Sequence, residues 1–194
     1  MTIKSMANEE LDLSVLYEGR LRALESATTL HADAALLLAR NRYSTSFFIA
    51  NIATEELGKY ALMVNASCLL AQGEIKWSVF WKNFRSHKAK THALLILESL
   101  HDFVCGIASE FPERSLHKDY ANLQDDVKMK SLYCDFSIGK GFIAPTSIIK
   151  KEICEIANDL LTERLHMVTS FEQQIASNFT VEKMRSISLK ALKY

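Results

Sequence analysis

Two prolines, Pro112 and Pro145, and six glycines are all that this chain of 194 residues offers to break regular backbone. Proline removes a helix hydrogen bond and glycine costs extra backbone entropy, so their scarcity leaves long stretches free to be helical. The apolar residues recur in helical steps. Leu16, Leu24, Ala27, His31, Ala34 and Leu38 predict one long helix from Glu10 to Arg40. Asn41 to Ser44 interrupts it, and Phe47 to Leu70 predicts a second helix ended near Gln72-Gly73. A tryptophan-bearing segment, Lys76 to Phe84, leads into a third helix from Arg85 or Ser86 to Ser109, stopped by Phe111-Pro112. Lys118 to Tyr133 reads as a short helix and Ser137 to Gly141 as a loop. Pro145 suits the first turn of a fourth long helix, whose stripe of Ile148, Ile149, Ile153, Ile156, Leu160 and Leu165 carries it to about Ile175. Thr180 then caps a short closing helix from Val181 to Leu192. With no repeat or linker, the expectation is an all-α fold. A single domain over 1–194 would form a bundle of four to five main helices with a short C-terminal helix.

Lysine plus arginine and aspartate plus glutamate number 23 each, so no global field draws the chain to nucleic acid or to an anionic membrane. Any such affinity must be local. The four cysteines, Cys68, Cys105, Cys134 and Cys154, lie far apart, which excludes a short-spaced zinc or dithiol motif and predicts buried free thiols. The first ten residues lack the basic-then-apolar order of a signal peptide, and the most apolar run, Ala93 to Ala108, is broken by Glu98, His101 and Asp102. A cytoplasmic protein with no membrane partner is expected.

Three constellations carry possible chemistry. The first is Thr54-Glu55-Glu56-Leu57-Gly58-Lys59, charged residues inside an otherwise apolar run. On a helix Asn51, Glu55 and Lys59 share a stripe, so Glu55 can pair with Lys59, and Glu56 can reach Lys59 from three residues away. Burial of that stripe would make pairing compulsory, whereas on an outer face it would be a solvated pair. The second is Lys82 to His92. Between Ile75 and Leu97 there is no acidic residue, while Lys76, Lys82, Arg85, Lys88 and Lys90 are cationic and His87 and His92 can become so. Arg85 offers a planar fork for phosphate, and the two histidines titrate close enough to neutrality to move protons. Those are the parts of a metal-independent ribonuclease, in which one group takes the 2′-hydroxyl proton, another protonates the leaving 5′-oxygen and a cation stabilises the phosphorane. The plain alternative is a solvated basic helix start. The third is a pair of Glu-x-x-His units, Glu98 with His101 and Glu163 with His166, which with Glu25 and Glu55 would make a carboxylate-bridged di-metal bundle. Bundles of that kind alternate a lone-glutamate helix with a Glu-x-x-His helix, an order this chain does not follow. No metal and no cofactor is therefore expected.

The order Leu24-x-x-Ala27, His31-x-Asp33-Ala34, Tyr43-x-x-x-Phe47, Glu55-Glu56-Leu57-Gly58-Lys59, Phe80-Trp81-x-x-Phe84-x-x-His87-x-x-Lys90 and Lys130-x-x-x-Tyr133 resembles the abortive-infection AbiV family. The resemblance spans about Ala23 to Tyr133. It implies membership of the HEPN superfamily, small helical bundles of which many are ribonucleases in phage defence or toxin–antitoxin systems. Many of these resemble one another in an arginine and a histidine with four to six residues between them, at a helix start near a dimer interface; Arg85 and His92, with six between them, fit the long limit of that pattern. By that analogy Arg85 would hold the scissile phosphate and His92 would be the acid or base, with a second copy supplied by the partner of a homodimer. The block most typical of AbiV picks out His87 and Lys90 instead. The catalytic candidates are thus Arg85, His87, Lys90 and His92, with Lys82 and Lys88 binding RNA and Glu55, Glu56 and Lys59 in support. The resemblance implies a phage-defence protein that acts on RNA to block translation or phage growth, with a phage protein as a possible trigger. The alternative is a non-catalytic protein that binds RNA or a phage protein.

Overall fold

A computed structural model describes residues 9–104, 107, 114–139 and 141–178. Within them the fold is all-α apart from one small ribbon: α1 (Leu13–Ala39), α2 (Tyr43–Gln72), α3 (Trp77–Arg85), α4 (His87–Val104), α5 (Arg114–Leu132), β1 (Asp135–Ser137), β2 (Gly141–Ile143), α6 (Pro145–Ile148) and α7 (Lys151–Asn178).

Local chemistry sets the helix ends. The Asp12 carboxylate accepts from the Ser14 and Val15 amides at 2.8 and 2.9 Å and caps α1. Asn41, at φ 58°, turns the chain so that α2 begins at Tyr43, four residues before the predicted Phe47. Gly73, at φ 70°, ends α2, its amide bonding Leu70 and the Glu74 amide bonding Leu69, a Schellman closure.

Helix α2 is the axis of the bundle. Ala50, Ala53, Leu57, Tyr60, Leu62 and Val64 are buried on several of its faces, which requires neighbours all round. α1 packs against it through the small residues Ala23, Ala27 and Ala34, α4 through Ala93, Leu94 and Leu97, and α7 through Leu161, Leu165 and Val168. Alanines let α1 approach closely, and the larger residues fill the space on the other sides.

Several expectations are corrected here. The segment Lys76 to Phe84 forms its own helix, α3, whose Trp77, Phe80, Trp81 and Phe84 rings pack edge to face except for the tilted Phe80–Phe84 pair. The predicted third helix does not begin at Arg85, which is the last residue of α3. Ser86 is extended, its side chain accepts from the Ala89 amide at 3.2 Å, and α4 starts at His87. The predicted fourth helix is not continuous from Pro145. It breaks at Ile149, which is buried beside Phe47 and Cys154, so burial of that side chain outweighs continuity of the helix. The predicted loop is the turn of an antiparallel hairpin in which Asp135 faces Ile143 and Phe136 faces Phe142. Cys68 and Cys154 are buried free thiols, but Cys134 is exposed because it lies past the end of α5. The closing helix from Val181 to Leu192, the end of the third helix at Ser109 and the side chain of Cys105 lie outside the described residues.

Candidate functional site

The charged block of α2 meets the basic start of α4. Glu55 is buried, 7 % exposed, and its carboxylate binds three cationic or protonatable groups. His87 Nδ1 lies 2.6 Å and Lys90 Nζ 2.8 Å from Oε2, while Lys128 Nζ lies 2.5 Å from Oε1. Lys128 also reaches Asp125 at 2.9 Å. Burial alone would push the Glu55 carboxyl up. Hydrogen bonds from Lys128, Lys90 and His87, with the Lys90 charge, outweigh burial and hold it down at about 2. Burial likewise works to lower Lys128, but its bonds to Glu55 and Asp125 win and raise it.

This geometry needs α2 and α4 to approach at one point, and Gly58 permits it. A Cβ there would stand 2.3 Å from the Lys90 carbonyl oxygen and 2.5 Å from its carbon. Glycine in the Glu-Glu-Leu-Gly-Lys block is therefore a packing requirement, and it sets Lys90 one turn from Glu55. On the third side, Gln124 Nε2 donates to Asn51 Oδ1 at 2.8 Å, one turn before the Lys128 contact with Glu55. The two contacts fix α5 alongside α2 in the same direction.

An ionised carboxylate only accepts hydrogen bonds, so the His87 ring must donate from Nδ1. That assigns the tautomer and leaves Nε2 to exchange protons with a bound group. The ring can be reached, because the His87 side chain is 57 % exposed while its carboxylate partner is buried. A histidine oriented by a buried carboxylate is suited to general acid or base work.

The other expected residues separate into two sets. Lys90 is buried, so it acts on Glu55 and does not face solvent. Arg85, Lys82 and Lys88 are exposed around the junction of α3 and α4. His92 is half-buried and stands about 140° around α4 from His87 at 100° per residue. Lys59 does not pair with Glu55 as the spacing suggested. It bonds Glu56 at 2.6 Å and lies 5.8 Å from the centre of the Phe84 ring, tying α2 to α3, because Glu55 is turned inward to the two buried lysines.

The Glu-x-x-His residues do not converge. Glu98 is bound by Arg164, whose Nε lies 2.5 Å from Oε1, while Glu25, Glu163 and His166 are exposed. Among the described residues no three histidine, cysteine, aspartate or glutamate side chains form a group that could hold a metal. His31 Nε2 instead meets Thr162 Oγ1 at 2.8 Å, and burial, followed by the charge of His166, lowers it. The side chain of His117 lies outside the described residues.

Sequence reasoning missed Lys128, although the neighbouring Lys130 was noted. It also missed a buried trio that joins α1, α2 and α7. Arg20 lies 3.0 Å from both Glu172 oxygens, and the Tyr60 hydroxyl donates to Glu172 Oε2 at 2.6 Å. The available signal was an arginine on the otherwise apolar stripe Leu16, Arg20, Ala23, Ala27.

Among known proteins, the model of the AbiV family matches residues 15–165. No curated protein and no solved structure matches the chain.

Proposed function

Since the chain belongs to the AbiV family of HEPN-type abortive-infection proteins, we propose that it defends the cell against phage by cleaving RNA at the junction of α3 and α4. In this reading His87 Nε2 takes the proton of a ribose 2′-hydroxyl. The 2′-oxygen attacks phosphorus, the bond to the 5′-oxygen breaks, and a 2′,3′-cyclic phosphate and a 5′-hydroxyl result. Arg85 grips the phosphate, and Lys82 and Lys88 hold the flanking strand. Lys90 and Lys128 are positioning residues that keep Glu55 ionised and aimed at His87. A homodimer would supply a second His87 to protonate the leaving oxygen. The protein would act in the cytoplasm, and a phage protein would release its activity; no described helix is long and apolar enough to cross a membrane.

The observation that carries this reading is the His87 ring, 57 % exposed and bonded at 2.6 Å to a carboxylate that is 7 % exposed. His92 has the spacing from Arg85 found in related ribonucleases, but it is on a different face of α4 from the carboxylate. The test is incubation of purified protein with total cellular RNA in the presence of a chelator. Wild type should cleave, leaving cyclic phosphate ends, and His87→Ala should lose about 100-fold or more in rate. An absence of cleavage by wild type, or full activity in His87→Ala, overturns the reading. Binding of RNA without cleavage would instead support the non-catalytic alternative.

A further inference from the structure

Past Gly73 the chain turns back, and α3 packs on α2 without filling the space between them. The face that α2 turns to α3 is Leu62, Asn65, Ala66 and Leu69, residues spaced i, i+3, i+4 and i+7 on one side of a helix. α3 answers with Val79, Phe80 and Asn83, and a cavity of about 300 Å³ stays open between the two faces. Phe80 is buried, but Val79 beside it is still 43 % exposed, so this side of α3 is short of apolar contact. Asn65 lies ten residues beyond Glu55, about 15 Å along α2, which sets the cavity apart from the His87 site.

Asn65 gives the cavity its chemistry. The residue is only 6 % exposed, and its Oδ1 meets no hydrogen-bond donor among the described residues. A buried polar atom that has lost water and gained no partner is costly, and nearly all such atoms in folded proteins are paired. An amide oxygen accepts, so the group that completes it must bring an N–H or an O–H. The wall around it is aliphatic or aromatic, Leu62, Ala66, Leu69, Ile75 and Phe80, so the body that carries this donor must be apolar. At the mouth Glu74 and Lys76 are exposed and opposite in sign, so the rim selects neither an anion nor a cation. The volume is at the lower end for small-molecule sites, which suits one or two rings.

We infer that the cavity between α2 and α3 binds a neutral, largely apolar small molecule of one or two rings that donates an N–H or O–H to Asn65. Isothermal titration calorimetry on the purified full chain tests it with indole and with benzofuran, in which a ring oxygen replaces the indole N–H. Wild type should bind indole with a Kd of about 100 μM and benzofuran at least about 10-fold more weakly. Asn65→Leu nearly keeps the side-chain volume and removes the acceptor, so it should bind benzofuran at least as well as indole. Val79→Trp, at an exposed position on the cavity wall, should weaken indole binding at least about 10-fold and locates the site even where Asn65→Leu does not fold. No binding of indole by wild type up to about 1 mM overturns the inference and leaves the Asn65 oxygen to water. Equal affinity of wild type for the two compounds overturns it as well, and so does a preference for indole that Asn65→Leu retains or indole binding that Val79→Trp leaves unchanged. RNA is absent from the assay, so the result is independent of the proposed cleavage.

Discussion

Replacing Glu55 by glutamine removes one negative charge from a place where two buried lysines depend on it. Lys90 and Lys128 are 8 % and 5 % exposed, and after the change Asp125 is the one carboxylate, among the described residues, that still pairs with Lys128. Breaking a buried pair by removing one partner costs about 3–5 kcal/mol. The carboxyl supports the same scale independently. It is held at about 2 against an ordinary 4.5, and such a shift corresponds to about 3 kcal/mol. A side chain only 7 % exposed is little screened by solvent, so the figure needs little discount. In urea, with a slope of about 2 kcal/mol/M, the midpoint should fall by about 1.5 M. The pH dependence has a definite sign. A depressed carboxyl contributes fully above 4.5, and its contribution is lost as pH falls from there through about 2, so the gap between wild type and Glu55→Gln should narrow over that window and stay constant above it. A midpoint within about 0.3 M of wild type at neutral pH, or a gap that does not change with acid, would mean that Glu55 is not the charge on which the two lysines depend.

Gly58→Ala should destabilise by about 1–3 kcal/mol, read as a lower urea midpoint, because its Cβ would meet the Lys90 backbone. This reverses the gain of up to ~1 kcal/mol that alanine normally brings to a helix interior, so a stabilised variant contradicts the close approach. Arg20→Met should cost about 3–5 kcal/mol by leaving Glu172 buried without its guanidinium, and Arg20→Met/Glu172→Leu should recover part of that loss in the same denaturation assay. A double variant no more stable than the single one would mean that the ion pair does not carry the effect.

Much of the bundle was legible because helical periodicity and punctuation agree. Asp12, Asn41 and Gly73 mark ends with chemistry that acts over a few residues, and those boundaries came within a few positions. The break at Ile149 was not legible, since the isoleucines on both sides continue one stripe and only contact with Phe47 shows that Ile149 turns inward. The site divides in the same way. The meeting of the Glu55 block with the basic stretch could be anticipated from the need of a buried carboxylate for cations. Which cations answer it could not, because Lys59 is the near neighbour along the chain whereas Lys90 and Lys128 arrive by tertiary packing. Likewise Arg85 and His92 fit a spacing rule along the sequence, but the extended Ser86 puts them on separate helices and orients His87, not His92, on Glu55.

In the proposed mechanism the histidine held by Glu55 moves the proton. Single-turnover cleavage of a defined RNA by His87→Ala and His92→Ala, side by side in chelator, separates this role from one for His92. His87→Ala should lose about 100-fold or more in rate, and His92→Ala should stay within about threefold of wild type. The opposite ranking, with His92→Ala inactive and His87→Ala near wild type, would contradict it.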